Sequence, residues 1–330
     1  MKITAPVSSF SDAEMAIHFG ADELYCGVTT AEWLEHFGQM WWMNRRNPAQ
    51  ANVDSLEELG NMVALAHNAD LPIHLTLNAP FYSESTLDYL VRLAEKLVAQ
   101  VRVDGLIVSD LNLLLRLAEL ELPVRLHLSS VAACINQGAV DLYQQLGISR
   151  IILPRQLTLS DIKQLVDSDE TGLEFEVFAV NDGCFYEEGF CQTTHAFGPF
   201  CLMDWSSAKI ETTSQACGPG FGGLNLDHVE KYQWHLNNCG SSFQHNGLPN
   251  GPCSLCWLGH FKDWGVSAIK IVGREASVQR KVGSLQLVKE VRDLAAANAP
   301  RAEVASLARG LRDTPQYCDS GMMCYFLEGE

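Results

Sequence analysis

Short runs of apolar and β-branched residues alternate along the chain with longer stretches in which apolar residues recur every three or four positions. The first pattern predicts β-strands and the second predicts amphipathic helices. Eight strands are predicted over residues 3–7, 23–27, 73–78, 105–109, 124–129, 150–154, 173–180 and 268–272. Helices are predicted over residues 12–19, 54–68, 86–99, 111–120, 137–146, 159–166 and 277–296.

This alternation favours the α/β class and, within it, a (β/α)8 TIM-type barrel, in which reactive groups gather on the loops after the carboxyl ends of the strands. An open doubly wound sheet is the alternative, but it requires a glycine-rich phosphate turn after the first strand, and Pro6-Val-Ser-Ser-Phe is no such turn. We therefore predict one barrel domain over residues 1–296 and a tail over residues 297–330 with one weak helix.

The seventh strand–helix unit departs from this rhythm. Residues 181–266, rich in Cys and Gly, form an insertion between strands 7 and 8 that is much longer than an ordinary loop, which indicates a function. A second irregular stretch, residues 29–53, carries Trp33, Trp41 and Trp42. It is interpreted as a lid, as a partner surface or as an insertion packed on its own tryptophans.

Composition indicates the cellular compartment of the protein and the class of its partners. The chain has 330 residues, eleven cysteines, and no apolar run long enough to span a membrane, so we expect a soluble cytoplasmic protein with reduced thiols. Its formal net charge is -17. Because nucleic-acid binding depends largely on Lys and Arg, nucleic acid is predicted to be an unlikely partner and a small molecule the expected substrate.

Four cysteines of the insertion, Cys184, Cys191, Cys217 and Cys253, are candidate metal ligands. Thiolates on one flexible, glycine-rich stretch suit an iron–sulfur cluster. A structural zinc site competes, because Cys253-x2-Cys256 has the spacing of half such a site, although the sequence offers no second pair of comparable spacing. The remaining cysteines are assigned to packing or the surface, with Cys201 and Cys256 as reserve ligands: Cys26, Cys134, Cys201, Cys239, Cys318 and Cys324.

The segment Glu176-x-Phe178-x5-Cys184-x4-Gly189-x-Cys191 resembles the signature of the peptidase U32 family, the collagenase-like "peptidases". The resemblance covers nearly the whole chain. Its other blocks are Ala5-Pro6, Gly20-Ala-Asp-Glu-Leu-Tyr-Cys-Gly27, Asn44-x-Arg46-x-x-Ala49-x-x-Asn52, Val108-Ser-Asp110, His127-x-Ser129 with Asn136, Leu153-Pro-Arg155 and Lys270-Ile-Val-Gly-Arg274. The chain departs from the family pattern where Val272 replaces the Glu of Lys-Ile-Glu-Gly-Arg and Asn181 an early Gly.

The resemblance implies oxygen-independent hydroxylation with a 4Fe-4S cluster and with prephenate as oxygen donor. It implies cluster ligation by Cys184, Cys191, Cys217 and a fourth cysteine, Cys253 or Cys256. In length the chain is similar to the ubiquinone hydroxylation proteins of the UbiU/UbiV type, which work as a heterodimer. The expected substrate is therefore a small aromatic or quinone-precursor ring, and the expected partner is a second protein of the U32 family.

Alternation along strands five and seven places His127 and Glu176 on inward faces, where they are candidates for proton transfer. Four cations near strand ends are candidates to hold a dicarboxylate such as prephenate: Arg46, Arg155, Lys270 and Arg274. The plain alternatives are an inward histidine that bonds a neighbouring hydroxyl and ordinary salt bridges.

Three other functions remain open at this level. The chain could be a non-catalytic iron–sulfur subunit of a heterodimeric hydroxylase, or an RNA-base hydroxylase. It could also be a protease, as the family name suggests, but neither G-x-S-x-G nor H-E-x-x-H occurs in it.

Overall fold

Eight parallel strands pair in sequence order, and β8 returns to β1 to close a barrel. The computed structural model describes residues 1–38, 42–46, 49–181, 244, 248, 252–321 and 323–326. The strands are β1 Lys2–Pro6, β2 Glu23–Gly27, β3 Ile73–Leu77, β4 Gly105–Val108, β5 Arg125–Leu128, β6 Ile148–Ile152, β7 Glu174–Val180 and β8 Ala268–Ile271. The predicted (β/α)8 barrel is thus confirmed. The division into residues 1–296 and a tail stays a prediction.

Helices follow the strands and cover the outside of the barrel. Those described are α1 Phe10–His18, α2 Ala31–Phe37, α3 Leu56–Asn68, α4 Glu84–Lys96, α5 Leu111–Glu119, α6 Gln137–Gln145, α7 Leu159–Asp167, α8 Leu258–Trp264, α9 Val278–Ala296, α10 Arg301–Arg312 and α11 Pro315–Ser320. Side-chain caps fix several of their starts. Thr158 and Asp161 form a capping box at α7, and the Ser55 side chain accepts from the backbone N–H of Glu58 at α3.

The two faces of the strands differ in chemistry. Outward side chains such as Leu24, Leu75 and Ile269 are fully buried beneath the helices and form the apolar core. The barrel interior instead holds charged and polar side chains with at most 1 % of their surface exposed: Thr4, Glu23, His74, His127, Arg150 and Glu176. Branched apolar residues usually fill this space. The polar interior therefore marks the part of the fold on which a site is built.

The irregular stretch after β2 contains a helix, α2, that the sequence pattern did not predict. Trp33 on α2 is 1 % exposed, and its ring centroid lies 4.6 Å from that of Phe37 and 5.5 Å from that of Tyr89. These contacts support the packing interpretation for Trp33. Trp41 lies outside the described residues.

The end of the insertion and the C-terminal tail pack together. Cys253 bridges Val180 at the end of β7 on one side and Cys324 of the tail on the other. The tail holds two helices, α10 and α11, where one weak helix was predicted. No helix in the described part of the chain has the length and apolar character needed to cross a bilayer.

Candidate functional site

A small cleft, with about 50 Å³ of enclosed space, opens at the carboxyl ends of the strands. Its lining combines cations, neutral hydrogen-bonding groups and apolar or aromatic surface. The described lining residues are Tyr25, Arg45, Arg46, Thr76, Asn78, Ile107, Ser129, Ser130, Ile152, Phe178, Lys270, Val272, Arg274 and Glu275. Apolar walls with a few convergent polar groups are typical of small-ligand sites. This lining suits a planar ring that carries anionic groups.

Arg274 reaches the cleft from the loop after β8. It donates through Nη2 to Oδ1 of Asn44 at 2.8 Å and through Nη1 to Oγ1 of Thr76 at 3.0 Å. A Cβ atom at Gly27 would lie 1.9 Å from Nη1 of Arg274, so this arrangement requires glycine at the end of β2. Gly27, Asn44 and Arg274 come from three separate motif blocks, and the fold brings them together at the barrel mouth.

Lys270 on β8 lies at the cleft and is only 6 % exposed. Its Nζ donates to Oε1 of Glu176 at 2.8 Å and lies 3.8 Å from the centroid of the Tyr25 ring. Burial lowers the pKa of Lys270, and the nearby Glu176 carboxylate opposes that shift. The ammonium group is thus held in place by a carboxylate and an aromatic face.

Beneath Lys270, Arg150 on β6 joins three carboxylates inside the barrel. Its guanidinium donates to Oε1 of Glu23 at 2.9 Å, Oε2 of Glu174 at 2.7 Å and Oε2 of Glu176 at 3.0 Å. Burial raises the pKa of Glu23, but Arg150 and His74 outweigh this and hold the pKa well below its ordinary value. Glu176, predicted as a proton-transfer group, therefore lies in an ion-pair network and contacts the cleft through Lys270.

His127, the other predicted proton-transfer group, packs on His74 with ring centroids 4.5 Å apart. Neither ring has a hydrogen-bond partner among the described residues. Nε2 of His74 lies 3.5 Å from Oε2 of Glu23, which is an electrostatic contact rather than a hydrogen bond. Burial lowers the pKa of His127 far below its ordinary value, with His74 and Arg150 adding to the shift, so the ring is neutral. It is fully buried and does not line the cleft.

The two other predicted cations differ in position. Arg46 lines the cleft, and its Nη1 lies 3.5 Å from Oε1 of Glu275. The guanidinium carbon of Arg155 lies 5.2 Å from the centroid of the Phe178 ring, which itself lines the cleft. The fold therefore brings Arg46, Lys270 and Arg274 to the cleft itself and places Arg155 over the ring of Phe178, one of its aromatic walls.

Of the predicted cluster ligands, Cys184, Cys191 and Cys217 lie outside the described residues. Cys253 is a buried free thiol whose backbone pairs with Val180 at the end of β7. Cys256 is also a free thiol, partly buried one turn further on. The described part of the donor set fits a thiolate-bound cluster, since it places soft ligands beside the cleft end of the barrel.

Sequence reasoning did not single out Glu23 and Arg150, which organise the barrel interior. A signal was present in the alternation along their strands. Glu23 shares the inward face of β2 with Tyr25, and Arg150 shares that of β6 with Ile152, where a packed interior would carry apolar residues. A charged residue at an inward position on two strands indicates a paired network rather than packing.

The fold and the cleft define the class: a (β/α)8-barrel protein that is polar inside and has a cleft lined by cations and aromatic rings at the carboxyl ends of the strands. Within this class, the chain belongs to peptidase family U32, whose family profile matches residues 8–328. The resemblance seen in the motif blocks is thereby confirmed.

Several curated proteins are similar to this chain. The 23S rRNA 5-hydroxycytidine C2501 synthase of Escherichia coli is 27% identical over 83% of this chain and 36% of its own length. The tRNA hydroxylation protein P of Helicobacter pylori is 26% identical over 58% of this chain and 42% of its own. An uncharacterised protease of Methanocaldococcus jannaschii is 29% identical over 60% of this chain and 45% of its own. The chain thus spans less than half the length of these three relatives.

Proposed function

We propose that this protein takes part in oxygen-independent hydroxylation of a planar ring with a 4Fe-4S cluster as cofactor. The observation that carries the proposal is the cleft at the barrel mouth, where Arg46, Lys270 and Arg274 face aromatic walls. Hydroxylation is also what the names of two of the similar proteins state.

The cluster would be held by Cys184, Cys191, Cys217 and one further thiolate, Cys253 or Cys256. When bound, it would supply electron transfer to the reaction. Cys253 supports this placement, because its bridge partner Val180 accepts a hydrogen bond at 3.3 Å from the backbone N–H of Val272, which lines the cleft. A thiol at Cys253 thus lies one strand away from the cleft rim.

The cations of the cleft would bind a dicarboxylate oxygen donor, for which prephenate is the candidate. The guanidinium groups of Arg46 and Arg274 each present paired donors that match a carboxylate. Lys270 adds a third positive charge at the cleft floor. Tyr25 and Phe178 provide the apolar faces against which a ring could pack.

Proton movement at the cleft would run through Lys270, because its ammonium lies at the cleft and is backed by Glu176. Glu176 would act as a positioning residue that holds this ammonium in the orientation it needs. His127 is further from the cleft lining, and its neutral ring could exchange protons only with groups inside the barrel.

Two substrate classes are candidates for the cleft. The first is a small aromatic or quinone-precursor ring, with a second U32-family protein as heterodimer partner. The second is an RNA base, which the names of the similar proteins favour. These names do not support the prediction that nucleic acid is an unlikely partner. The acidic net charge does not exclude RNA, since the described lining of the cleft has four cations, Arg45, Arg46, Lys270 and Arg274, and one carboxylate, Glu275.

A non-catalytic role is the competing proposal, and Val272 is the observation that favours it. Val272 lines the cleft at the position where the family pattern has Glu. A chain without that carboxylate could hold a cluster and stabilise a catalytic partner. Hydroxylation by the isolated chain would contradict this alternative.

The proposal is tested on protein purified without oxygen and in a strain of the source organism that lacks the gene. We expect about four irons per chain and broad absorption near 400 nm, as for a 4Fe-4S protein. In the deletion strain, mass spectrometry of RNA nucleosides and quinone precursors should show the loss of one hydroxylated ring. Wild type should restore it and Arg274→Gln should not. Arg116→Gln, a control at a half-exposed surface position on α5, should restore it.

Iron-free protein, or unchanged nucleoside and quinone pools in the deletion strain, would contradict the proposal. Loss from the nucleoside pool alone would assign the substrate to RNA. Loss from the quinone pool alone would assign it to the small ring.

A further inference from the structure

The turn that carries Arg274 is tied to the first strand–helix unit of the barrel. In this turn, which follows β8, the backbone N–H of Ala276 donates to the carbonyl of Gly273 at 3.0 Å. Gly273 has a φ of +111°, a conformation that favours glycine. Oγ of Ser8, in the loop between β1 and α1, donates to the carbonyl of Arg274 at 2.9 Å. Arg274 is thus held at its main chain as well as at its guanidinium.

Behind Ser8 lies a buried ion pair. Asp12 in the first turn of α1 and Lys281 in the first turn of α9 are both buried, and Oδ2 of Asp12 lies 2.7 Å from Nζ of Lys281. Nζ of Lys281 also donates to Oγ of Ser8 at 3.0 Å. The backbone N–H of Ser8 donates to Oδ2 of Asp12 at 2.9 Å. These three residues therefore form one connected group, which ends at the Arg274 carbonyl.

The direction of the Ser8 hydroxyl follows from the number of protons available. Oγ of Ser8 lies 2.9 Å from both Oδ2 of Asp12 and the carbonyl oxygen of Arg274, but a hydroxyl has only one proton to donate. Oδ2 of Asp12 already accepts from the Lys281 ammonium and from the Ser8 backbone N–H, which fills its two lone pairs. The hydroxyl proton is thus left for the Arg274 carbonyl. Lys281 therefore directs Ser8 towards the turn.

Stability alone would account for part of this group. Helix α1 packs on α9, and an ion pair between Asp12 and Lys281 joins the two helices. That interpretation does not require a bond from Ser8 to the Arg274 carbonyl. The bond links the ion pair to the residue whose guanidinium lines the cleft. A role in the cleft therefore explains a contact that helix packing leaves unexplained.

We propose that Ser8, Asp12 and Lys281 are positioning residues of the cleft, which hold the turn after β8 so that Arg274 presents its guanidinium to an anion. The identity of that anion rests on the function proposed above, in which a dicarboxylate binds at the cleft. If the main chain of Arg274 lost its bond to Ser8, the turn would have to be ordered when the ligand binds. That ordering would weaken binding.

Calorimetric titration of the full-length protein with prephenate tests the proposal. Ser8→Ala should bind prephenate about two- to tenfold more weakly than the wild type, which is the range for one hydrogen bond. Ser8→Thr keeps the hydroxyl and should bind like the wild type. Lys281→Met should bind at least as weakly as Ser8→Ala, because Oδ2 of Asp12 would then take the Ser8 proton. Wild-type affinity in both Ser8→Ala and Lys281→Met would overturn the proposal.

Arg292→Met is the matched control for Lys281→Met. Arg292 also lies on α9, but its Nη1 donates to the carbonyl of Met1 at 3.0 Å and to Oδ2 of Asp22 at 2.6 Å, at the amino end of the barrel. Its loss should lower the stability of the fold and leave prephenate affinity unchanged. An equal loss of affinity in Arg292→Met and Lys281→Met would overturn the proposal, because the effect would then come from stability.

Hydrogen–deuterium exchange without ligand gives a readout that does not depend on the proposed function. Ser8→Ala and Lys281→Met should exchange faster than the wild type over residues 273–277, which include the bonded amide of Ala276, and Arg292→Met should not. If prephenate failed to bind even the wild type, the dicarboxylate proposal would be wrong and exchange would decide the positioning role. Faster exchange in the two variants would support that role, and unchanged exchange would overturn it.

Discussion

Replacement of Arg150 is the sharpest test of the polar barrel interior. Arg150→Met keeps much of the side-chain length but removes the charge and all donors. Glu23 and Glu176, which are 0% and 1% exposed, would lose the guanidinium that neutralises them. Each would keep one ammonium at 2.8 Å, from Lys2 and Lys270. The substitution thus removes the shared cation and leaves both carboxylates buried.

The size of the effect follows from this burial. Removal of one partner from a buried ion pair costs about 3–5 kcal/mol, because the remaining charge stays desolvated. For a chain of this length, 1 kcal/mol shifts the midpoint of thermal unfolding by roughly 2 °C, so we expect a decrease of roughly 6–10 °C. The difference in unfolding free energy between variant and wild type should shrink as the pH falls, since the carboxylates that have lost Arg150 can then take up protons.

Urea denaturation and calorimetry would measure this change. Arg116→Met is the matched control. Arg116 pairs with exposed Glu84 and Asp88 on the protein surface, where solvent screens the charges, so this substitution should change the free energy of unfolding little. If Arg150→Met unfolded within about 1 kcal/mol of the wild type at neutral pH, the reasoning about the buried network would be wrong.

Three further predictions concern the cleft, the stability of helix α3 and the pH dependence of folding. Gly27→Ala should displace the Arg274 guanidinium, because the added Cβ would lie 1.9 Å from Nη1. In calorimetric titration, the variant should therefore bind the proposed dicarboxylate, prephenate, at least about tenfold more weakly than the wild type. Gly60→Ala, in open space on α3, should instead raise the free energy of unfolding by up to about 1 kcal/mol, as measured in urea. Acid should destabilise the folded chain, because His127 and Glu23 have pKa values below their ordinary 6.5 and 4.5 and the unfolded chain therefore binds more protons. Unfolding free energies should thus fall as the pH drops below about 6.5 and fall further below about 4.5, whereas a flat profile would contradict the folded-state pKa shifts.

Periodicity predicted the barrel well because each strand and helix buries one regular face. All eight strands were located within two residues, and the helix that starts after Thr158 was identified from its cap. Helix α2 was missed because residues 29–53 show no sustained helical pattern, and its stability comes from Trp33 packed on Tyr89. Helix α8 was missed because it follows a long stretch without periodicity.

The candidate site was predicted in its parts rather than in its arrangement. Arg46, Lys270 and Arg274 were singled out and lie at the cleft, whereas Glu176 and His127 were placed on the correct faces but lie among buried partners. Alternation along a strand gives the direction of a side chain. It does not give its depth in the barrel or the identity of its neighbours.

The sequence by itself determined the barrel, the inward faces of its strands and the chemical types available at their ends. Only the tertiary structure decided which charges neutralise one another. Glu23 and Arg150 are far apart along the chain, and closure of the barrel places them in direct contact. The same holds for Cys253 and Cys324, whose backbones pair in the fold. The physical reason is that local pattern depends on neighbours in sequence, whereas pairing and burial depend on long-range contacts that only the closed fold creates.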